Sequence, residues 1–427
     1  MDKNEKIFAT VDIGSSKILV LVGRKNEEGK IQVIGIGHSA SRGIKRGVIL
    51  NVEEAFAAIN EAIGLAEKDC GCYVEHVYVN ISGQQLTTIE SVQRKTFSRG
   101  HCMNEMDIDQ LLQMSRQIDL EEGMAIYHVN PEFYTVDEET GITNPVGYIG
   151  EKIEAKFKIH VAPESYERNI GLCFNRGSIV VDKAILDPIA SSDVVLTDEE
   201  KETGVALIDI GGGTTKISIF YEGVLCFTTM VPFGGNVITS DIKEGCAITL
   251  RQAESLKIQF GQAIADFAPE EKVVTIPSNG WEPKQISFKS LAHIIQARME
   301  DIIAYFFYAI RKSGYADKLG SGIVITGGTS LLPNLGQLIK FHIGYDVRIG
   351  KPHLTSFVPN KNVYDPRYST ALGLLKIASE DEPDGKRKKR KIRIRSNEPG
   401  LFIRMQMKIK QGVIEFFEET TEDTEMT

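Results

Sequence analysis

The residues best suited to chemistry lie in two short stretches nearly two hundred positions apart. Val11-Asp12-Ile13-Gly14-Ser15-Ser16-Lys17 and Leu207-Ile208-Asp209-Ile210-Gly211-Gly212-Gly213-Thr214-Thr215 share one order: apolar run, Asp, apolar residue, glycine, then small or hydroxylated residues. Glycine at a strand end lets backbone N–H groups approach phosphate oxygens. Hydroxyls add donors, and a carboxylate can hold a water bound to a hard cation. The two stretches therefore suit opposite sides of one nucleotide clamp closing on a phosphate and its Mg²⁺. A single Asp-x-Gly would also fit an ordinary hairpin. Its recurrence, with Ile323-Val324-Ile325-Thr326-Gly327-Gly328-Thr329 as a third strand-then-glycine element, argues for a built cleft.

The surrounding pattern supplies the elements that must hold these turns. Residues 7–13 and 18–23 suit a hairpin around the first glycine loop, 31–36 a third strand, 52–70 a helix and 77–81 a strand. Residues 205–210, 217–221 and 224–231 repeat the three strands around the second loop, and 237–244 has helical spacing. The repeated outline predicts an internal duplication with ligand between the halves. Residues 83–163 read as an inserted module. Asn104 is expected to cap a helix over 106–118 with Leu111, Leu112, Met114 and Ile118 inward, and strands are expected at 125–129, 133–136 and 153–160. A second insertion, 245–312, reads as a helix over 248–265, then Pro269 and Pro277, then a long helix over 288–310.

At 427 residues the chain exceeds one core and should divide into several domains. Its net charge of −9 conceals an asymmetry, since residues 386–410 hold eleven Lys or Arg against one acid, Glu398, a local balance of +10. An acidic body with one basic segment argues against a general nucleic-acid-binding surface and for a local anionic partner. The charged N-terminus resembles no export signal, and no apolar run reaches the roughly 18–20 residues that span a bilayer. Cys70-Gly71-Cys72 lacks a second pair or spaced His to complete a zinc site, so reduced thiols are expected of the six cysteines.

With these loops and insertions in view, the chain resembles the actin–hexokinase–heat-shock ATPase superfamily and, within it, the bacterial cell-division actins of the FtsA family. The resemblance covers roughly residues 6–380. It rests further on Val79-Asn80-Ile81-Ser82-Gly83, Asn144-Pro145-Val146-Gly147, Pro232-Phe233-Gly234-Gly235, Ile238-Thr239-Ser240-Asp241-Ile242 and Glu254-Ser255-Leu256-Lys257. Val347-Arg348-Ile349-Gly350-Lys351-Pro352 and Tyr368-Ser369-Thr370-Ala371-Leu372-Gly373-Leu374 separate it from rod-shape actins and pilus-assembly relatives.

The resemblance implies an α/β fold of duplicated actin/ribonuclease-H-like domains forming a nucleotide cleft, with two inserted α+β subdomains and a C-terminal amphipathic helix. Residues 1–82 and 164–196 would form the first lobe, with 360–380 packing back, and 197–244 and 313–359 the second. The module 83–163 would serve filament contacts and recruit later division proteins, and 245–312 would dock the C-terminal peptide of FtsZ, with Lys284, Arg298 and Glu300 as candidate contacts. The implied activity is ATP-dependent self-assembly that ties the FtsZ ring to the inner face of the cytoplasmic membrane, as a peripheral protein of the cell inner membrane. A pilus-assembly adaptor and a small-molecule kinase share the fold and remain as alternatives.

For residue roles, Asp12 and Asp209 are expected to face Mg²⁺ through water. Gly14, Ser15, Ser16, Gly211, Gly212, Gly213, Thr214 and Thr215 would surround the phosphates of ATP. Lys17 is either a phosphate contact or a solvated strand residue. Gly235, Gly327 and Gly328 would let backbone pass close to nucleotide, and Glu254 and Lys257 would hold ribose or adenine or else form a plain surface pair. Asp187 is the candidate for orienting the attacking water, its alternative being a cap on a helix beginning at Pro188. Lys216 departs from relatives that carry an acid there, and at most a weak ATPase is expected.

The tail carries its own signal. Residues 381–399 form a basic linker and 400–419 an amphipathic segment that places Leu401, Phe402, Met405, Ile409, Val413 and Phe416 on one helical face, with Phe417 beside it. Such a helix can lie in the headgroup region of anionic lipid. Ile403 to Lys410 also alternates as a strand would, and the acidic residues from Glu418 should weaken the attraction.

Overall fold

The computed structural model describes residues 7–276, 283–353, 355–359 and 363–381. The basic linker, the segment 400–419 with Phe402, Met405, Ile409, Val413, Phe416 and Phe417, and Pro277 lie outside the described residues.

The first lobe begins with an antiparallel meander of β1 (Ile7–Ile13), β2 (Lys17–Lys25) and β3 (Ile31–Ala40). A small hairpin, β4 (Ile44–Lys45) and β5 (Val48–Ile49), leads to α1 (Val52–Cys70). Asn51 starts that helix by accepting from the Glu53 and Glu54 amides, and Gly71 ends it in the left-handed conformation. Strand β6 (His76–Ile81) then pairs parallel with β1.

The inserted module follows as β7 (Thr87–Cys102), α2 (Glu105–Ser115), β8 (Met124–Val136), β9 (Glu139–Ile142) and β10 (Ile149–Pro163), in sheet order β7-β10-β8-β9. Three sequence expectations change here. Strand β7 went unseen because it alternates without strong hydrophobicity, its residues being largely half-exposed or exposed. The strands expected at 125–129 and 133–136 are one, since a register shift opposite Lys156 and Phe157 accommodates Pro131. Helix α2 stops at Ser115 rather than at 118, and its buried face carries Leu111 and Ser115, which leaves Met114 exposed rather than inward.

The chain returns through α3 (Ser165–Arg176) to β11 (Val180–Leu186), which completes the first sheet in the order β11-β6-β1-β2-β3, and then to α4 (Asp187–Val195). After α5 (Asp198–Thr203) the pattern recurs with β12 (Val205–Ile210), β13 (Thr215–Tyr221), β14 (Val224–Val231) and α6 (Gly235–Cys246). The second insertion holds α7 (Leu250–Phe260), the hairpin β15 (Val273–Ile276) and β16 (Lys284–Ser287), and α8 (Phe288–Lys312). The helix expected over 248–265 is shorter. Ala247 takes a left-handed conformation, Thr249 and Gln252 form a capping box, and Gly261 ends α7. Strand β17 (Ile323–Thr326), α9 (Leu335–Ile343), β18 (Val347–Ile349) and α10 (Ser369–Glu380) complete the chain, and the second sheet runs β14-β13-β12-β17-β18.

Both sheets thus consist of a three-strand meander continued by two parallel strands, the duplication the glycine loops foretell. Their outer faces pack on helices: α1 and α3 in one lobe, α6, α8 and α9 in the other. Their inner faces share one core with α4 and α10, which carries Leu19, Leu207, Val324, Ala371 and Leu375. Helices α4 and α10 therefore form the joint between the lobes. They cross so closely that a Cβ on Gly373 would sit 1.7 Å from the Ala190 carbonyl oxygen, which is backbone that cannot move aside cheaply. Gly373→Ala is expected to destabilise the protein by about 3 kcal/mol or more, read as a lowered urea midpoint.

The module also leans on the second lobe. Strands β7, β8 and β10 contact β14, and Thr88 Oγ1 accepts from the Thr228 amide at 3.3 Å. Buried Lys158 pairs with Glu90 and with Glu132 (3.5 Å), and Glu132 accepts from the Tyr315 hydroxyl at 3.2 Å. All six cysteines are free thiols, with no disulfide among them. Among the described residues no helix is long and apolar enough to cross a membrane.

Candidate functional site

The two glycine loops adopt one geometry because their hairpins share a register. Ile13 pairs with Ile18 and Ile210 with Thr215, leaving four loop residues each time. Both loops close identically: the Gly14 amide donates to the Lys17 carbonyl at 3.1 Å, and the Gly211 amide to the Thr214 carbonyl at 2.9 Å. They face one another across a cavity of about 490 Å³, within the roughly 300–1,000 Å³ usual for a small-molecule site. Asn236 Nδ2 donates to Ser16 Oγ at 3.1 Å, bridging the lobes. A Cβ on Gly212 would lie 2.0 Å from Ser16 Oγ, and one on Gly213 would lie 2.7 Å from Ser15 Cβ.

Most of the sequence candidates meet here. Gly14, Ser15, Ser16 and Lys17 line one wall, and Gly211, Gly212, Gly213 and Thr214 the other. Gly327 and Gly328 close a third side, and Glu254 and Lys257 a fourth. Lys17 is no solvated strand residue: its Nζ donates to the Arg367 carbonyl at 3.3 Å and lies 4.9 Å from the Tyr368 ring centre. Lys257 and Glu254 are an ion pair at 2.7 Å, yet one set into the cleft, because Lys257 Nζ also donates to the Gly235 carbonyl (2.9 Å) and the Thr239 hydroxyl (2.8 Å). Gly235 itself lies behind the wall, its amide donating to the Gly211 carbonyl at 2.9 Å. Thr215 turns away: strand alternation puts it on the face opposite Thr214, buried, with its hydroxyl donating to the Phe233 carbonyl at 2.8 Å.

The floor is acidic. Asp12 and Asp209 end β1 and β12 at equivalent places and line the cavity. Asp187 lies just beneath, 1% exposed. It does not cap α4: no backbone amide of that helix bonds its carboxylate. Instead Asn80 Nδ2 donates to Asp187 Oδ1 at 2.7 Å, while Asn80 Oδ1 accepts from the Ile13 amide at 2.6 Å, tying α4 to the end of β1. The other Asp187 oxygen meets Lys216 Nζ, which also reaches Asp209 Oδ2 at 3.2 Å.

Burial and then the charge of Asp187 push the Asp12 carboxyl up to about 7, against the pull of Lys216 and Lys17. Burial alone would lower the Lys216 pKa, but Asp187, then Asp209 and Asp12, outweigh it and hold the ammonium charged. Among the described residues no three His, Cys, Asp or Glu side chains converge as a protein-only metal site requires. Two carboxylates, of Asp12 and Asp209, lining the cavity beside the amides and hydroxyls of both glycine loops are instead a donor set that would suit a hydrated divalent cation arriving on a phosphate.

Sequence reasoning missed Asn236, Arg367 and Tyr368, and the apolar side chains Ile258, Leu331, Leu332 and Pro333, all of which line the cavity. Asn236 directly follows the Pro232-Phe233-Gly234-Gly235 motif, and Tyr368 opens the motif ending at Leu374, so proximity to those motifs was the available signal. The apolar group has no periodic signature, because loop and helix ends assemble it.

A family model described as "Cell division protein FtsA" matches residues 206–373, and one described as "SHS2 domain inserted in FTSA" matches 83–161. The chain is 34% identical over 385 residues to "Cell division protein FtsA" of Pseudomonas aeruginosa, covering 89% of this chain and 91% of that one. It is 32% identical over 414 residues to the Borreliella burgdorferi protein of the same description, covering 94% and 99%. It is 30% identical over 391 residues to that of Escherichia coli K12, covering 90% and 92%. Among solved structures, one titled "PilM-PilN type IV pilus biogenesis complex" superposes with a TM-score of 0.58 at 12% identity, covering 88% of this chain and 99% of that chain. The ADP-bound MreB5 of Spiroplasma citri superposes with a TM-score of 0.51 at 13% identity, covering 87% and 95%. These two likenesses bear on the fold.

Proposed function

Because this chain belongs to the FtsA family of cell-division proteins, we propose that it is an ATP-binding, actin-like scaffold that polymerises at the inner face of the cytoplasmic membrane and anchors the FtsZ ring. The observation that carries the nucleotide part is the pair of identically closed glycine loops facing each other over an acidic floor. Ser15, Ser16 and the amides of Gly212, Gly213 and Thr214 are the phosphate donors. Asp12, with Asp209, is the place for Mg²⁺ held through water, and that ion would neutralise phosphate charge. Lys257 and Glu254 present polar groups to the nucleoside, and Ile258, Leu332 and Pro333 offer the base an apolar slot.

Hydrolysis is expected to be weak. Asp187, the carboxylate placed to order water, is already bonded to Asn80 and Lys216. A kinase of this fold would need a free base beside the terminal phosphate, and this arrangement disfavours it.

The FtsZ-docking role of 245–312 rests on the family pattern. Its candidate contacts also serve the fold: Arg298 grips Asp241 through two bonds (2.5 and 3.1 Å), Glu300 faces His342 at 3.3 Å, and Lys284 donates to the Cys246 carbonyl at 3.4 Å. Partners besides FtsZ are other copies of the chain, anionic lipid and later division proteins. Calorimetry on the folded full chain should give heat of association with Mg-ATP and Mg-ADP and, separately, with the FtsZ C-terminal peptide. Silence with nucleotide would remove the scaffold's ATP dependence; silence with the peptide alone would favour the pilus-type adaptor.

A further inference from the structure

The duplication makes one departure conspicuous. In the first lobe the residue directly across the hairpin from the acidic Asp12 is Leu19, whose side chain joins the core between the lobes. In the second lobe the residue across from Asp209 is Lys216. The two positions are equivalent in register, so the backbone demands neither residue. What the second lobe gains is an ammonium group set between Asp187 and Asp209, at 3.2 Å from the latter and in direct contact with the former. Lys216 also lines the cavity. The floor is thus lined by the carboxylates of Asp12 and Asp209, with that of Asp187 buried beneath them, and a positive charge among them is covalently part of the chain.

A divalent cation bound with a nucleotide has two electrostatic tasks here: it screens the phosphates from the floor carboxylates, and it links the two. A fixed ammonium among those carboxylates performs the first before any ion arrives. It also occupies an Asp209 oxygen that a water of the ion's shell would otherwise use. We propose that Lys216 is a tethered cation that takes over part of the divalent ion's role, so that nucleotide binds this cleft with little dependence on Mg²⁺. The inference rests on the nucleotide reading of the same cleft. The bland alternative is a structural ion pair that only fastens α4 to the second sheet. That alternative predicts a stability change and no change in metal dependence.

The test compares ADP and ATP binding to the full chain in excess Mg²⁺ and in excess EDTA, for the wild type, Lys216→Met and the double variant K216M/D187N. Methionine keeps the length of lysine without its charge. The double variant removes both charges of the buried pair, and the amide that replaces the Asp187 carboxylate can still accept from Asn80. The wild-type ratio of dissociation constants, EDTA over Mg²⁺, is expected to stay within about tenfold, and removing the ammonium should enlarge it at least about another tenfold. A ratio unchanged in the variants overturns the proposal, whatever happens to their melting temperatures. Should neither variant fold, the wild type decides, since a ratio above about tenfold is then the overturning result. Absence of binding in both metal arms is a different failure: it sinks the nucleotide reading itself, and this proposal with it.

Discussion

Gly212→Val is expected to raise the dissociation constant for Mg-ATP at least about a hundredfold, a loss near 2.7 kcal/mol, while leaving the ligand-free protein folded. The reason is where the new atoms must go. The first added carbon alone would lie 2.0 Å from Ser16 Oγ, 2.9 Å from Ser16 Cβ and 3.0 Å from Asn236 Oδ1. Rotating the serine hydroxyl relieves one of these contacts and leaves the others, and valine adds two methyl groups. Either the loops part or the Ser16–Asn236 bridge breaks, and in both cases donors on opposite sides of the phosphate lose their spacing. A displacement on the order of 1 Å suffices to spoil such positioning. No residue of either loop belongs to the hydrophobic core of its lobe, so the melting temperature without nucleotide should change little. Nucleotide binding at wild-type strength would mean that phosphate sits elsewhere. Gly223→Val makes a useful control for general glycine loss at a strained position, since this turn glycine, at φ +77°, has nothing within 4 Å of a Cβ.

How much of this was legible beforehand follows from which forces act locally. The acid–glycine turns were legible because a hairpin writes its loop in consecutive residues, and the two copies share Asp-Ile-Gly at 12–14 and 209–211 and the same register around a four-residue loop. Strands β1, β2, β12 and β14 were legible because burial makes them nearly continuous apolar runs. Strand β7 was not, because what stabilises it is twelve paired positions along β10, a long-range fact that leaves only weak alternation in the chain. Thr215 was misplaced because a run of two threonines says nothing about which one points inward until the strand's first residue is known. Asp187 was expected to orient water, but its partner Lys216 comes from another lobe. Only the fold could show that the carboxylate offered for catalysis is already held by an ammonium. The apolar wall of Leu332, Pro333 and Ile258 escaped for the same reason: residues far apart in sequence supply one surface.

Ending the chain after Asp381 is expected to abolish binding to vesicles of anionic lipid while leaving nucleotide binding unchanged. The cut is placed by the structure. Helix α10 must be kept whole, because its residues form part of the core shared by the two lobes. Asp381 must be kept too, since it accepts from the Tyr78 hydroxyl at 2.9 Å and pairs with Lys183 at 3.2 Å. Beyond it the sequence offers eight basic residues between 386 and 395. At about 1 kcal/mol for each such residue near an anionic leaflet, they contribute several decades of partitioning before any apolar side chain inserts. Charge and insertion can then be separated. Phe402→Glu with Met405→Glu keeps the basic run but spoils the apolar face, so binding should become weak and strongly salt-dependent. Removing the acidic residues from Glu418 onward should do the opposite and tighten it. If the shortened chain still floats with vesicles, the anchor lies in the folded body. If the full chain binds nucleic acid and ignores lipid, the basic run serves another polyanion, and the membrane part of the scaffold reading fails while the cleft stands.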